Sequence, residues 1–482
     1  MDHAANPHHA RRWAILAVLG IAQLMVVLDG TVVNIALPSA QADLGFSDPD
    51  RQWIITAYAL AFGSLLLFGG RLADVMGRKA VLLIGLIGFA LASALGGLAG
   101  NFEVLVLARA LQGVFGALLA PAALSTLTTT FTDSDERGKA FGIYGAIAGA
   151  GAAIGLILGG ILTEYLSWRW CLWVNLALAI PAAAAAFGLL VNQRPEGKPK
   201  LDLPGIVVIS VGLLAIVYGC SRAEADGWTA PVTLALLVGG ALLVALFVLI
   251  ELRVSNPLLP MRVVLDRARA GAYLGLGLAC VGMFGVFLFL TYYLQATLMY
   301  SPIKAGFAFL PMVATIMVMA TTSTAVLLPR IGARIPIFLG MLLGGIGMVL
   351  FTQIGVDTAY TTHVLPGLLV IGLGLGMIFA TCFEVGTSGV EAHDAGVASA
   401  MANTTQQIGG SIGTALLSTI AASAATAFIA DGRGDPMAAA VHSYSVAFWV
   451  AAGIFFASAV VCGLLTPGGV HARESTAPPA GL

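Results

Sequence analysis

Residues Leu24–Pro38 read LMVVLDGTVVNIALP, and Asp29 is the only ionisable residue among them. In a bilayer such a charge costs roughly 2.5–3.5 kcal/mol on insertion scales. A carboxylate placed there either pairs with a cation or exchanges a proton. Arg109 is the candidate partner, because it alone among the lysines and arginines falls inside an apolar run. If the first run starts near Trp13, Asp29 lies about 24 Å along a helix. The fourth run starts near Phe102 and points the other way, which puts Arg109 about 10 Å deep. In a hydrocarbon core of about 30 Å the two charges sit at similar depth. Arginine favours the ionised acid and desolvation favours the neutral one, so a contact that is made and broken loads and releases a proton. The alternative is a permanent structural pair between two helices.

Other polar residues sit inside apolar runs. Arg109, Gln112, Gly113 and Gly116 share one helical face. Asp29 shares its face with Met25, Val32 and Val33, whereas Thr31 and Asn34 point elsewhere. Glu384, in GLGLGMIFATCFEVGTSGV, reads equally as an interfacial acid or as a cavity-lining second proton site. Thr31, Asn34, Tyr58, Gln112, Gln295 and Asn403 are further polar residues and candidates for lining a cavity within the membrane.

The elements that must position these residues follow from composition. The 482 residues are 59% hydrophobic and 10% charged, against about 25% charged in soluble domains. Mean hydropathy is +0.95. Lipid is therefore the expected solvent for most of the surface. Apolar windows recur near 13–37, 52–72, 80–99, 103–127, 139–163, 169–191, 203–221, 230–251, 271–296, 304–328, 335–355, 363–388, 396–421 and 444–466. About 14 spans result, and they must be helical, since lipid cannot satisfy open backbone. The first run is too long for a signal-peptide core and reads as a span.

With the N-terminus inside, the inner segments hold seventeen of the 23 lysines and arginines and the outer ones five. That bias predicts an inner-membrane protein with both termini cytoplasmic. Polar segments divide the chain into a tail 1–12, a six-helix half 13–192, a linker 193–202, two extra spans 203–251, a linker 252–270, a second six-helix half 271–466 and a tail 467–482. GRLADVMGRK at 70–79 and LLPRIGAR at 327–334 fall at matching places in the two halves, a weak internal repeat of the kind transporters show.

Several function classes lose support. Cys171, Cys220, Cys280, Cys382 and Cys462 lie in apolar stretches without metal-ligand spacing, and the seven histidines fall in tails or connections. No nucleophile–base set or phosphate loop appears, which disfavours a membrane-embedded enzyme or ATP as driver, and no soluble domain exists to relay a sensor's message. A net charge of −1 gives no sign of nucleic-acid binding. No cofactor is expected beyond the proton gradient.

These residues together resemble the major facilitator superfamily, and within it the 14-span drug:proton antiporters. LDGTVVNIALP looks like that group's first-span motif, with Asp29 at its acidic position. GRLADVMGRK resembles the superfamily's loop motif, with Gly70, Asp74, Gly77, Arg78 and Lys79 on its key positions. LARALQGVFGA resembles the fourth-span motif and makes Arg109 the arginine implicated in proton transfer. SWRWCLWVNLALA and YLQATLMYSPIKAGFAFLP are similar to the group as well. The fifth-span ladder Gly151, Gly155, Gly159 and Gly160 resembles the antiporter motif, except that Leu156 stands where that motif has proline. A second, milder departure is Gln406 at a position that is commonly basic. The resemblance implies proton-coupled, alternating-access efflux of amphipathic drug-like molecules by a monomer, with protons, lipid and a small molecule as its partners.

Overall fold

The computed structural model describes residues 11–47, 50–131, 133–191, 202–254, 257, 259–387, 390, 395–431 and 435–468. The expected tails and the 193–202 linker lie almost wholly outside them. Among the described residues there is helix and no strand. The first half comprises α1 (Arg12–Leu44), α2 (Gln52–Met76), α3 (Arg78–Gly97), α4 (Phe102–Thr130), α5 (Ser134–Tyr165) and α6 (Trp170–Leu189). Then come α7 (Leu203–Asp226), α8 (Pro231–Glu251) and the short α9 (Met261–Val264). The remainder is α10 (Arg267–Tyr292), α11 (Pro302–Thr322), α12 (Leu328–Ile331), α13 (Arg334–Phe351), α14 (Leu365–Thr387), α15 (Ala395–Ala430) and α16 (Pro436–Leu465).

Each expected span falls on a long helix. Among the described residues eleven helices are long and apolar enough to cross a membrane, and α2, α5 and α7 contain shorter apolar stretches. The helices overrun the apolar windows because capping, not hydropathy, sets their ends. Asp435 accepts a hydrogen bond from Met437 N at 3.1 Å and Pro436 opens α16, so that helix begins eight residues before its window. His442, expected in a connection, therefore lies on α16, with its ring 4.9 Å from that of Phe428. Asn101 caps α4 in the same way through Val104 N at 2.9 Å.

The internal repeat is plain in the packing. Within the first half α1 packs on α5 and α6, α4 on α2 and α3, and α3 on α6. In the second half α10 packs on α15 and α16, α14 on α11 and α13, and α13 on α16. The two loops singled out in the sequence repeat as well: Gly77 (φ 91°) and Gly332 (φ 71°) both take positive φ just before the third helix of their half, where a side chain would be strained.

The α7–α8 pair sits outside the two halves. The Ser210 hydroxyl on α7 donates to Ser64 O on α2 at 3.1 Å, and Thr419 Oγ1 on α15 donates to Cys220 O at 3.5 Å. Val238, Leu242 and Leu249 of α8 are exposed, a face suited to lipid. The halves pack together along α2 and α15, where Gly63 faces Gln407, and along α5 and α11, and they are also joined at the end of the bundle remote from the N-terminus. Tyr292 Oη donates to Gln41 Oε1 at 2.5 Å, and Gln295 Nε2 donates to Ile35 O at 3.0 Å. The Arg51 guanidinium lies 4.2 Å from the Tyr292 ring centre, and Ile303 N donates to Glu164 Oε2 at 3.1 Å.

Helices this close need glycine at their crossings. A Cβ on Gly409 would run into the Gly277 backbone of α10, whereas one on Gly239 would meet nothing within 4 Å. Gly409→Val should therefore cost about 1–3 kcal/mol by overpacking, and Gly239→Val should cost far less. All five cysteines are buried, so a thiol-reactive dye followed through thermal unfolding in detergent measures both. Equal melting temperatures for the two variants would contradict the packing.

Candidate functional site

Asp29 is fully buried on α1, and Arg109 of α4 is 2% exposed. Arg109 Nη1 donates to Asp29 Oδ2 at 2.5 Å. The other carboxylate oxygen, Oδ1, accepts from Gln112 Nε2 at 2.8 Å and from Asn175 Nδ2 of α6 at 3.0 Å. Gln112 is used completely: its Oε1 accepts from Arg109 Nη1 at 2.7 Å, and its Nε2 also donates to Ser93 Oγ of α3 at 2.7 Å. Arg109 Nε donates to Ile54 O on α2 at 3.0 Å, and the guanidinium lies 4.5 Å from the centre of the Tyr58 ring. Five helices thus converge on one carboxylate, which a buried charge requires.

Local sequence explains the convergence. Arg109 and Gln112 lie one turn apart and point the same way. Gly113 and Gly116 on the adjoining strip of α4 let α2 approach, since a Cβ on Gly113 would strike Tyr58 O. That approach brings Ile54 O and the Tyr58 ring against the arginine.

The other candidates separate into groups. Tyr58 and Gln112, expected in a substrate cavity, are buried inside the first half against the ion pair. Thr31 turns its hydroxyl onto Leu28 O at 3.0 Å and faces Gly155 of α5. Asn34 is 5% exposed, and its Nδ2 donates to Gly30 O at 2.7 Å. Gln295 lies at the junction of the halves and Asn403 is half-buried on α15. Glu384 is exposed near the end of α14 and away from Asp29.

Gly151, Gly155 and Gly159 form a seam against Leu24, Thr31 and Val32 of α1, while Gly160 faces the Ile303 backbone in the other half. Leu156, at the position of the motif's proline, is buried with its carbonyl against Gly306 of α11, and α5 runs unbroken from Ser134 to Tyr165. In the loop motif, Lys79 Nζ donates to Phe187 O at 2.6 Å, Gly70 faces Pro121, and Arg78 opens α3. The Asp74 side chain lies outside what the structure describes.

Sequence reading missed Asn175 and Ser93. Asn175 is five residues into α6, about 8 Å deep, so the depth comparison that paired Asp29 with Arg109 would have found it too. It also missed a polar stripe on α1. Gln23, Gly30, Asn34 and Gln41 recur at i, i+7, i+11 and i+18 and line one face. Gln41 ends that face on Tyr292 of the other half, and a Cβ on Gly30 would meet nothing within 4 Å. At the other end of the face Gln23 Oε1 accepts from Tyr144 Oη of α5 at 2.7 Å.

The Major Facilitator Superfamily profile matches residues 19–414, and the chain belongs to this family of membrane transporters. It is 50% identical to the puromycin resistance protein pur8 of Streptomyces alboniger, across 97% of this chain and 93% of that one. It is 38% identical to the cephamycin export protein CmcT of Amycolatopsis lactamdurans, across 93% of each. The fold is shared with an auto-inhibited POT family peptide transporter, at a TM-score of 0.70 and 16% identity over 94% of this chain and 96% of that one.

Removing one partner of a buried pair leaves a charge that nothing compensates, at a cost of about 3–5 kcal/mol. Arg109→Leu should lower the melting temperature sharply, and Asp29→Leu combined with Arg109→Leu should restore much of it. A double mutant no more stable than Arg109→Leu alone would show that the two charges do not stabilise one another.

Proposed function

We propose that the protein exports amphipathic antibiotic-like molecules across the cytoplasmic membrane in exchange for protons. The observation that carries the proton half of this reading is the Asp29 carboxylate, fully buried and gripped by Arg109, Gln112 and Asn175. The relatives named for antibiotic resistance and export support the substrate half. The charge bias puts both termini in the cytoplasm, so the joined end of the bundle faces outward. Alternating access then rocks the halves against one another. The molecule works as a monomer and draws on the proton gradient rather than on a cofactor.

Proton exchange follows from the geometry of the pair. In the structure the two carboxyl oxygens of Asp29 accept three hydrogen bonds. Moving α1 relative to α4 and α6 removes those donors, and a desolvated carboxylate without them takes up a proton. Restoring the contact expels it. Binding of substrate on the other face of α1 favours one position of the helix over the other, and that differential affinity is the coupling.

A second reading, a pump dedicated to one compound, is favoured because both relatives above are named for a single antibiotic. A host lacking its own pumps, challenged with puromycin, cephamycin and a panel of cationic and neutral drugs with and without a protonophore, separates the two. Resistance to many compounds supports broad export, and resistance to one supports the dedicated pump. Protonophore-insensitive resistance contradicts proton drive in both.

Asp29→Asn keeps the size of the side chain and removes its titration. It should abolish uphill efflux while leaving the protein inserted in the membrane, and wild-type accumulation against a gradient would refute the role given to Asp29. Arg109→Lys keeps a cation but loses the planar fork that contacts Asp29, Gln112 and Ile54 O together. It should displace the pH profile of transport, read as efflux rate against external pH. An unmoved profile would make Arg109 a structural counter-ion only.

A further inference from the structure

We infer that each half carries a seat for the phosphate of an anionic phospholipid, at the end of the bundle where the N-terminal helix begins; this rests on the chain spanning a membrane and not on proton exchange. Each seat is the C-terminal end of the half's last helix, where cations from the starts of its first and third helices gather. In the first half Lys79 Nζ, at the start of α3, donates to Phe187 O of α6 at 2.6 Å. Arg11, directly before α1, points Nη1 at the next carbonyl, Gly188 O, at 3.5 Å. In the second half Arg267 Nη2, at the start of α10, donates to Leu464 O of α16 at 2.7 Å. Nη1 of Arg334, which opens α13, stands 3.7 Å from where a Cβ on Gly468 would lie, just past the end of α16.

The two seats occupy matching places in the repeat. Helices α1, α3 and α6 stand to the first half as α10, α13 and α16 stand to the second, and α3 packs on α6 as α13 packs on α16. Lys79 and Arg334 each come two residues after the positive-φ glycine that turns the preceding loop, Gly77 and Gly332. The loops differ in most other residues, yet both deliver a cation to the same spot.

A cation near a helix C-terminus satisfies a carbonyl and meets the negative end of the helix dipole. One would serve that purpose, but here two gather at each end. None of the four forms an ion pair with a carboxylate among the described residues. The acids close by in sequence and space are engaged elsewhere, Glu136 with Arg12 and Asp266 with Arg269. Arg11, Arg267 and Arg334 are exposed, and a Cβ on Gly188 would meet nothing within 4 Å. The positive charge is therefore uncompensated and open to an anion's oxygens.

Apolar surface adjoining the cations selects a lipid rather than a soluble anion. Phe187 is 70% exposed and Leu464 61% exposed. Ile180, two turns before Phe187, and Val460, one turn before Leu464, are exposed too and continue the same helix faces into the hydrocarbon. Lys79 Nζ lies 4.9 Å from the centre of the Phe187 ring, so charge and apolar surface are continuous. The charge bias puts this end on the cytoplasmic side, where anionic lipids draw basic groups to the membrane surface. A phosphate seated there bridges three helices of one half and none of the other.

Fluorescent phosphatidylglycerol titrated onto the detergent-solubilised protein and read as anisotropy tests this, with fluorescent phosphatidylcholine as the zwitterionic control. The wild type should bind two molecules of phosphatidylglycerol, about thirtyfold more tightly than phosphatidylcholine, and high salt should erase the preference. Arg11→Gln with Lys79→Gln should leave one site, and so should Arg267→Gln with Arg334→Gln. Should a paired variant fold poorly, the single changes Arg11→Gln and Arg267→Gln, both of exposed residues, should each weaken one site about fivefold. Two unaltered sites in these variants, equal affinity for the two lipids, or as large a loss in Arg222→Gln at the opposite end of the bundle would overturn the assignment. Displacement of phosphatidylglycerol by an equal concentration of inorganic phosphate would make these soluble-anion sites and overturn it as well.

Discussion

A carboxylate that water cannot reach must be held by donors from its own protein, and Asp29 is held by Arg109, Gln112 and Asn175 from two helices. Taking such a group into a low-dielectric interior costs several kcal/mol, which only good geometry and further hydrogen bonds offset. The first half is organised around that need. Ser93 of α3 orients Gln112, and Ile54 O and the Tyr58 ring of α2 orient Arg109. The glycines of α4 are where they are because α2 must come within reach of the arginine.

The second half repeats the packing without the charge. Its helices pair in the same order, and Gly332 turns its loop as Gly77 does. The position equivalent to α1 is taken by α10, whose middle is Gly-, Leu- and Phe-rich and carries no acid. The buried acid of α1 thus has no counterpart on α10, while the joined residues Gln41, Gln295 and Tyr292 draw on both halves.

How much of this was legible in the sequence depends on the kind of information each residue carries. Asp29 and Arg109 stood out because charge in hydrocarbon is rare, and helical rise alone set them at matching depth. Asn175 and Ser93 did not, because one amide or hydroxyl in a helix carries no such penalty and its partner lies far along the chain. Gln112 and Tyr58 were grouped with cavity residues because polarity alone cannot tell a group facing a void from one facing a buried ion. The helix ends escaped because hydropathy reports where lipid lies, whereas Asp435 and Asn101 act through single hydrogen bonds. The interface of α5 was only half legible: its glycines announced close packing, but Leu156 against Gly306 is a contact between residues 150 positions apart.

The exchange proposed above requires an element that both ligands touch, and α1 has the two faces for it. One of its faces carries Asp29 toward α4 and α6, and another carries Gly30, Asn34 and Gln41, the last joined to Tyr292 of the other half. A rigid helix cannot shift one face without the other. A compound that settles against Asn34 in one position of α1 better than in the other therefore changes how firmly Asp29 is gripped, and by reciprocity the grip changes how firmly the compound is held. Close packing of α5 along the Gly151–Gly159 seam limits α1 to small rotations or slides, which suits a device with two discrete positions rather than a continuum. With Leu156 at the position of the motif's proline, α5 keeps an unbroken helix from Ser134 to Tyr165 along that seam.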